Sequence, residues 1–553
     1  MVDWSWGLLE EHERALARKL AVFNAGATEE SAAAVADDPL VLDGLASLAD
    51  KSLLQVVGNR YRMLETIREY GIEKLDEAGE LEATRTAHAH YFAAFAEAAE
   101  PKLRTRAQHE TYRRLQTEHD DVIASLRWLG ESGDRRGALR LAVALLWFWM
   151  LSGAQDEANT WIDFAFNVPG EADTVDVLIG EGILTMINAS RDRDAAEQLK
   201  PIAERLERDG DGRPLLALAR PILALFAGED AIAQVRLAET LEHPDPWTRS
   251  AATLIRAHLA ENTGDQEHMR ADLERAVEGF REIGDSWALG MTLSSLSSTL
   301  MLADDLDGAE TVLDEATELL DTLQGSGGGA GLLWLRLAEV NVRRGDLDAA
   351  REHVQRVIDD TDMRREENVI VRATLARIER LAGNLERMRE IVTDLERRVG
   401  TLPLVRPDQE HARAFVHALI AQLAIEDGDL ERAARVIDGA IELAVATTDM
   451  PIVAIVGSVS VALSLRAGRV EDAAEQLGAC VVLRGAEDRS NPELAPKYAA
   501  IAGHEAAYER GRGLTRDAAI ARLASCAPVV RAQGERDEDG DERAHPADGP
   551  EDV

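Results

Sequence analysis

The chain has 553 residues, more than the roughly 250–300 at which one hydrophobic core stops growing, so several domains or a repeat array are expected. Its 101 acidic residues against 61 Lys and Arg give a formal charge of −40, which repels the phosphates of nucleic acid unless a basic patch is concentrated somewhere, and no such patch is visible. An apolar share of 46% with only 4% aromatics, dominated by Ala, Leu, Glu and Arg, favours helices over sheets.

The opening MVDWSWGLLEEHE is acidic and lacks a cationic stretch followed by an apolar core, so it does not read as a signal peptide. Leu9, Ala15, Leu16, Leu20 and Phe23 then recur at helical spacing over 8–23. Further helices are predicted at 29–36 and 39–50. In SLLQVVGNRYRML (52–64) two apolar runs flank Gly58-Asn59, a two-residue hairpin signal because both residues tolerate positive φ. A closing helix over 65–77 completes three helices, a hairpin and a helix, the pattern of a winged-helix module over 1–78. In a DNA reader the helix before the wing carries basic or amide side chains. Here that helix carries Asp43 and Asp50 with no basic residue before Lys51, and the wing adds only Arg60 and Arg62. Residues 1–75 hold eight Lys and Arg against thirteen Asp and Glu, which argues against direct DNA reading.

Beyond a helical connector (79–130) a Gly-Asp step recurs between helices, and four offsets around it repeat. With the turn residue as zero, positions −7, +5, +9 and +12 around Gly264 are Ala257, Met269, Leu273 and Ala276. Around Asp304 they are Ser297, Ala309, Leu313 and Ala316; around Gly345, Ala338, Ala350, Val354 and Val357. Gly383 gives Ala376, Met388, Val392 and Leu395; Gly428 gives Ala421, Ala433, Ile437 and Ala440; Gly468 gives Val461, Ala473, Leu477 and Cys480. Small residues at −7 and +5 suit the close approach of two antiparallel helices, and larger ones at +9 and +12 fill the groove toward the next repeat. The Gly ends one helix in a left-handed turn, and the following Asp caps the next. The turns recur about every 40 residues, at or above the ~34 of a tetratricopeptide repeat. These features predict an all-α, tetratricopeptide-like repeat array over 131–526 with the small winged-helix module before it. Gly133-Asp134 and Gly153 start further helices amid Trp128, Trp147, Trp149 and Trp161, Gly228 marks a candidate repeat, and GSGGGAG (325–331) reads as a joint. Residues 527–553, acidic and nearly free of apolar side chains, read as a disordered tail.

Nothing in this pattern is catalytic. The Gly-rich 325–331 lacks the Lys and hydroxyl that a phosphate loop requires. His88 and His90 are two apart, on different helix faces, and His504-Glu505 has no second His, so neither suggests a metal site. Asp37-Asp38 and Asp359-Asp360 read as solvated helix ends, and no nucleophile elbow announces a Ser, His and Asp grouping. The four tryptophans read as core before pocket. Leu141–Leu151 and Met450–Leu465 are too short for the ~20 residues of a spanning helix and read as buried core helices. Two cysteines, Cys480 and Cys526, form no framework and fit a reducing, cytoplasmic setting. No catalytic, cofactor or metal residue is therefore assigned. The concave groove of stacked repeats is the natural site for a peptide or small molecule, although the sequence does not say which residues face it.

Several segments resemble one family. DWSWGLLEEHERALARKLAVF, VLDGLASLADKSLLQV, YRMLETIREYGIEKL, HAHYFAAFAEAAEP, EHDDVIASLRWL and the C-terminal AAEQLGACVVLRGAEDRSNPELAPKYAAIAGHEAAYERGRGLTRDAAIARL are similar to the downstream half of AfsR/SARP-related STAND regulators of high-GC bacteria. The resemblance implies a winged helix that clamps a nucleotide-binding domain and helical repeats that act as its sensor arm. No residue of the chain matches the ATPase or effector motifs of that family, so a P-loop ATPase domain would be a partner in trans. The expected function is a non-catalytic regulatory module; a DNA-binding regulator acting through the winged helix, or a free-standing repeat scaffold, are the alternatives.

Overall fold

A computed structural model of the protein describes residues 6–189, 198–209, 213–226, 229–324, 330–359, 367–399 and 407–524. The acidic tail at 527–553, Cys526, Asp360, Gly228 and the Gly-rich 325–329 lie outside the described residues; Ala330 and Gly331, read above as part of the joint, belong to a helix. The chain divides into two compact units: one of 1–248 with 281–287 and 322–324, the other of 249–280 with 288–321 and 325–553.

The first unit opens with α1 (Glu11–Leu20), α2 (Glu29–Ala36), α3 (Val41–Asp50), β1 (Leu54–Val57), β2 (Arg60–Met63) and α4 (Glu65–Glu77). The strands pair antiparallel with Val57 opposite Arg60, so Gly58-Asn59 is the two-residue loop, and Gly58 sits at φ +63°. Helix α1 is shorter than its periodicity suggests, since Glu10 caps it: Glu13 accepts the Glu10 N–H at 2.8 Å, and Leu9 and Phe23 pack just outside the helix. Ala15 is only half-buried, and Ala17 takes the core position instead. Thr28 caps α2 by accepting the Ser31 N–H at 3.1 Å. The unit continues through α5 (Leu81–Ala99), a 3₁₀ turn (Glu100–Arg104), α6 (Gln108–Glu131), α7 (Arg135–Ser152), α8 (Gln155–Asn167), α9 (Thr174–Ala189), α10 (Leu199–Asp209), α11 (Pro214–Phe226) and α12 (Asp230–Leu241). Its apolar run Leu141–Leu151 is a mostly buried stretch of α7, with Met150 exposed.

The second unit is a tetratricopeptide-like array of helical hairpins. Its helices are α13 (Pro246–Asn262, from Arg249 on), α14 (Gln266–Ile283), α15 (Ser286–Leu302), α16 (Leu306–Gln324), α17 (Ala330–Arg344), α18 (Leu347–Asp359), α19 (Glu367–Leu381), α20 (Leu385–Val399), α21 (Pro407–Asp427), α22 (Leu430–Ala446), α23 (Met450–Arg466) and α24 (Val470–Arg484). Short helices α25 (Ala495–Ala500), α26 (Glu505–Arg512) and α27 (Arg516–Leu523) follow, the last two packed on α24.

The repeat frame is borne out position by position. All four frame residues of each of the six turns are buried, from Ala257 to Cys480. Every turn residue has positive φ, between +64° at Asp304 and +82° at Gly428. The hydrogen bonds explain the conservation of conformation: the N–H after the turn residue reaches five residues back, as in Asp346 N to Asn341 O at 2.9 Å, and the turn N–H reaches three back, as in Gly345 N to Val342 O at 3.1 Å. This is the Schellman pair that satisfies two orphan carbonyls at a helix end. Asp305, Asp346 and Asp429 then cap the second helix through the N–H of Gly308, Ala349 and Arg432. Arg469 offers no such side-chain cap to α24.

Candidate functional site

A cavity of about 510 Å³ in the second unit could hold a ligand. Three of its walls belong to the first helices of hairpins: Leu332, Leu335, Arg336 and Glu339 on α17, Ile370, Ala373, Thr374 and Arg377 on α19, Phe415, Ala418, Leu419 and Gln422 on α21. Counted from their turns at Gly345, Gly383 and Gly428, these three sets fall at the same offsets, −13, −10, −9 and −6. Ile455, Ser458 and Val459 on α23 continue the series before Gly468. The spacing of three, one and three residues is one stripe of a helix, turned about 110° from the −7 position that packs on the second helix. The frame already visible in the sequence thus contained the groove-facing positions; what was missing was the knowledge that this stripe faces inward.

Further walls come from α13–α15, with Glu261, Met269 and Ser298 among them, and from the segment after α24, which supplies Asp488, Asn491, Glu493, Leu494 and Lys497. That segment is the EDRSNPELAPK of the C-terminal similarity. Gly485 enables its start: at φ +81°, an added Cβ would meet the Gly264 carbonyl oxygen at 1.6 Å, so only glycine allows the two turns to touch. Gln266 Nε2 also donates to the Arg484 carbonyl at 3.0 Å.

Charge in the cavity wall is organised as one network. Arg343 donates through both terminal nitrogens to the two Asp488 oxygens at 2.9 Å each, and Arg484 reaches Asp488 at 3.3 Å. Glu339 bridges Arg343 and Arg377, and Glu493 bridges Arg377 and Arg380. Burial opposes the charge on Arg377, but Glu339 and Glu493 outweigh it and hold the guanidinium firmly protonated. Burial pulls Lys497 down to about 8 against the opposing pull of Glu493. Glu261 is pushed up by burial, with Arg336 acting in the other direction, and His258 is lowered by burial and by Arg336. Among the described residues no group of three or more His, Cys, Asp and Glu could hold a metal.

The residues singled out in the sequence lie elsewhere. His88 sits in the first unit, Nε2 3.1 Å from Asp121 Oδ1 and Nδ1 3.2 Å from Ser125 Oγ. This is a Ser, His and Asp chain that sequence reading missed. All three side chains are buried, Ser125 Oγ also bonds the Asp121 carbonyl, and the Asp121 carboxylate accepts the N–H groups of Asn24 and Ala25 at 2.7 and 3.0 Å. With its atoms committed to protein partners, the chain serves as a joint between α6 and the loop after α1. Glu118, one turn earlier, takes a bidentate pair from Arg60, so the EHDDV motif fastens the hairpin as well. Lys51 pairs with Glu13, and Arg62 Nε donates to the Ala25 carbonyl at 2.9 Å. His504 precedes α26, and Glu505 accepts the Gly503 N–H. Asp37 ends α2 at φ +48°, Asp38 accepts the Leu40 N–H, and Asp359 accepts from Gln355.

Of the four tryptophans, Trp147 and Trp149 are core residues, while Trp128 and Trp161 are half-buried, and they lie in separate places. Trp147 packs edge-on against Trp247 and Trp287 at 5.1 and 5.6 Å, Trp161 meets Phe164, Trp128 donates to Thr86 Oγ1, and Trp149 is buried. Among the described residues no helix is long and apolar enough to cross a membrane.

No family profile matches the chain. A stretch of 174 residues is 37% identical to a Mycobacterium tuberculosis protein provisionally named an HTH-type transcriptional regulator, covering 29% of this chain and 19% of that relative. Over 92 residues it is 40% identical to an uncharacterized protein of the same species, covering 15% of this chain and 23% of the relative. The chain therefore matches less than a quarter of either relative's length. Among solved structures it is similar to a signal transduction ATPase with numerous domains and a tetratricopeptide repeat sensor from Pyrococcus horikoshii, with 13% identity, a TM-score of 0.34, and coverage of 91% of this chain and 65% of that one. The APC/C Cut9–Hcn1 hetero-tetramer matches at 12% identity and a TM-score of 0.41, covering 70% of this chain and 74% of that one. Scores this low add nothing to the architecture read directly from the helices.

Proposed function

We propose that this chain is the non-catalytic regulatory module of a STAND-type transcriptional regulator, in which the helical repeats bind an effector and the N-terminal elements act as a winged helix. The observation that carries this reading is the cavity of about 510 Å³, where one stripe from successive repeats and the segment after α24 converge charged and apolar side chains. The 37% identity to a regulator of the HTH type supports the regulatory context. In this reading residues 1–78 form the winged helix, 79–130 the connector and 131–526 the repeats, and the protein works in the cytoplasm.

The winged helix would act on a P-loop ATPase domain rather than on DNA. Its candidate DNA-facing cations are already engaged: Lys51 by Glu13, Arg60 by Glu118 and Arg62 by a backbone carbonyl. Leu40, Leu42, Val56 and Val57 stand exposed on the same module, as a protein-docking surface would require. Two measurements test the reading. Affinity capture with the full chain from its source organism is expected to recover a P-loop ATPase. Fluorescence anisotropy with random duplex DNA at low salt is expected to show no binding; salt-sensitive binding there, with no ATPase captured, would replace this reading with the DNA-binding one.

A further inference from the structure

The chemical class of the effector can be read from the cavity, on the reading above that the repeat groove is a ligand site. A volume of about 510 Å³ fits a small organic molecule. One side is apolar, with Leu332, Leu335, Ile370, Phe415 and Ile455. The other holds six cationic side chains against four anionic ones, in a chain whose formal charge is −40. Five of the six cations have partners: Asp488 holds Arg343 and Arg484, Glu339 and Glu493 hold Arg377 and Arg380, and Lys497 donates to the Glu493 carbonyl.

Arg336 is the exception. Among the described residues it makes no hydrogen bond or ion pair, and its Nε is buried without a partner, as is the neighbouring wall's Ser298 Oγ. Arg336 as a whole is half-buried, but a guanidinium nitrogen buried without an acceptor is costly unless something else supplies one. Glu261 acts on Arg336 electrostatically, with no hydrogen bond or ion pair between them. Arg336 stands on α17 between Leu332 and Leu335 on one side and Glu339 on the other, at the boundary of the apolar and charged walls.

We infer that the cavity takes a small amphipathic acid, a molecule with one anionic group on an apolar body, and that Arg336 receives the anionic group. The paired arginines build the wall; Arg336 reads the ligand. The test uses 1-anilinonaphthalene-8-sulfonate, itself an amphipathic anion, as the fluorescent probe on the full chain. Displacement is measured with 4-phenylbutyrate, the uncharged 4-phenylbutanol and inorganic phosphate. The acid is expected to displace the probe at least tenfold better than the alcohol, with phosphate ineffective. Arg336→Gln is expected to lower affinity for probe and acid by about tenfold or more, in line with loss of a charge-assisted hydrogen bond, without lowering the melting temperature. Arg336→Lys, which keeps the charge, is expected to retain most of the binding. Equal displacement by the alcohol, full displacement by phosphate, or unchanged affinity in Arg336→Gln would each overturn the inference. ATPase capture is read separately, so the regulatory reading survives or falls on its own result.

Discussion

Removing the Asp488 carboxylate should release the segment that closes the cavity. Asp488 belongs to the stretch between α24 and α25, and it is held to α17 by Arg343, 145 residues earlier in the chain. Its side chain is 3% exposed and that of Arg343 8%, so neither is solvated when the other is lost. The carboxylate accepts two bonds of 2.9 Å from Arg343, one of 3.3 Å from Arg484 and one of 3.2 Å from Asn491 Nδ2. In Asp488→Ala, Arg343 keeps only Glu339 at 3.3 Å and the Met301 carbonyl at 3.1 Å. Breaking one half of such a buried pair costs about 3–5 kcal/mol, because a desolvated charge is left behind. That corresponds to a roughly 10²- to 10⁴-fold larger opening constant for the segment. Hydrogen exchange measured on peptides spanning 485–500 should show this acceleration, with peptides from the first unit unchanged. A double-mutant cycle with Arg343→Ala should return most of the loss as coupling. If Asp488→Ala alters exchange of 485–500 by less than about fivefold, the pair does not hold the segment and the account of the cavity wall is wrong.

The turn conformations give two further tests by urea unfolding of the second unit. Asp304→Gly should stabilise by about 0.5–1 kcal/mol, since Asp304 alone among the six turn residues pays the left-handed strain with a side chain. Gly345→Ala should cost about 1 kcal/mol because nothing lies within 4 Å of its added Cβ, whereas Gly485→Ala, which meets a carbonyl oxygen, should cost at least about 2 kcal/mol more. Equal losses at the two sites would refute the close contact of Gly485 with Gly264. The Glu13 carboxyl tests pH: burial raises it, but hydrogen bonds from Lys51, Ser47 and the Glu10 N–H prevail and bring it to about 2. A carboxyl lowered on folding stabilises above its unfolded value of about 4.3 and loses that contribution as pH falls through the folded one. The stability gap between the parent and Glu13→Gln should therefore be full at pH 6 and shrink between about pH 4.5 and 2; a gap that stays constant would rule out the Lys51 pairing.

The sequence by itself determined the repeating unit. Gly at a helix end, an acidic cap after it and small residues at −7 and +5 are local or periodic constraints, and each acts within about twenty residues of its turn. They specified the buried frame from Ala257 to Cys480 and the hairpin at Gly58-Asn59 because backbone conformation and helix period follow from the residues in place. The same frame held the groove stripe, but periodicity does not say which stripe faces the partner helix and which faces the cavity. Only the tertiary structure joined Arg343 to Asp488, left Arg336 without a partner, and gathered Trp147 with Trp247 and Trp287. It also turned His88, Asp121 and Ser125 into a buried joint rather than a reactive group. Those pairings depend on how far each hairpin rotates on the last. That rotation is the sum of many side-chain packings, so residues a hundred or more apart meet by geometry that no local signal encodes.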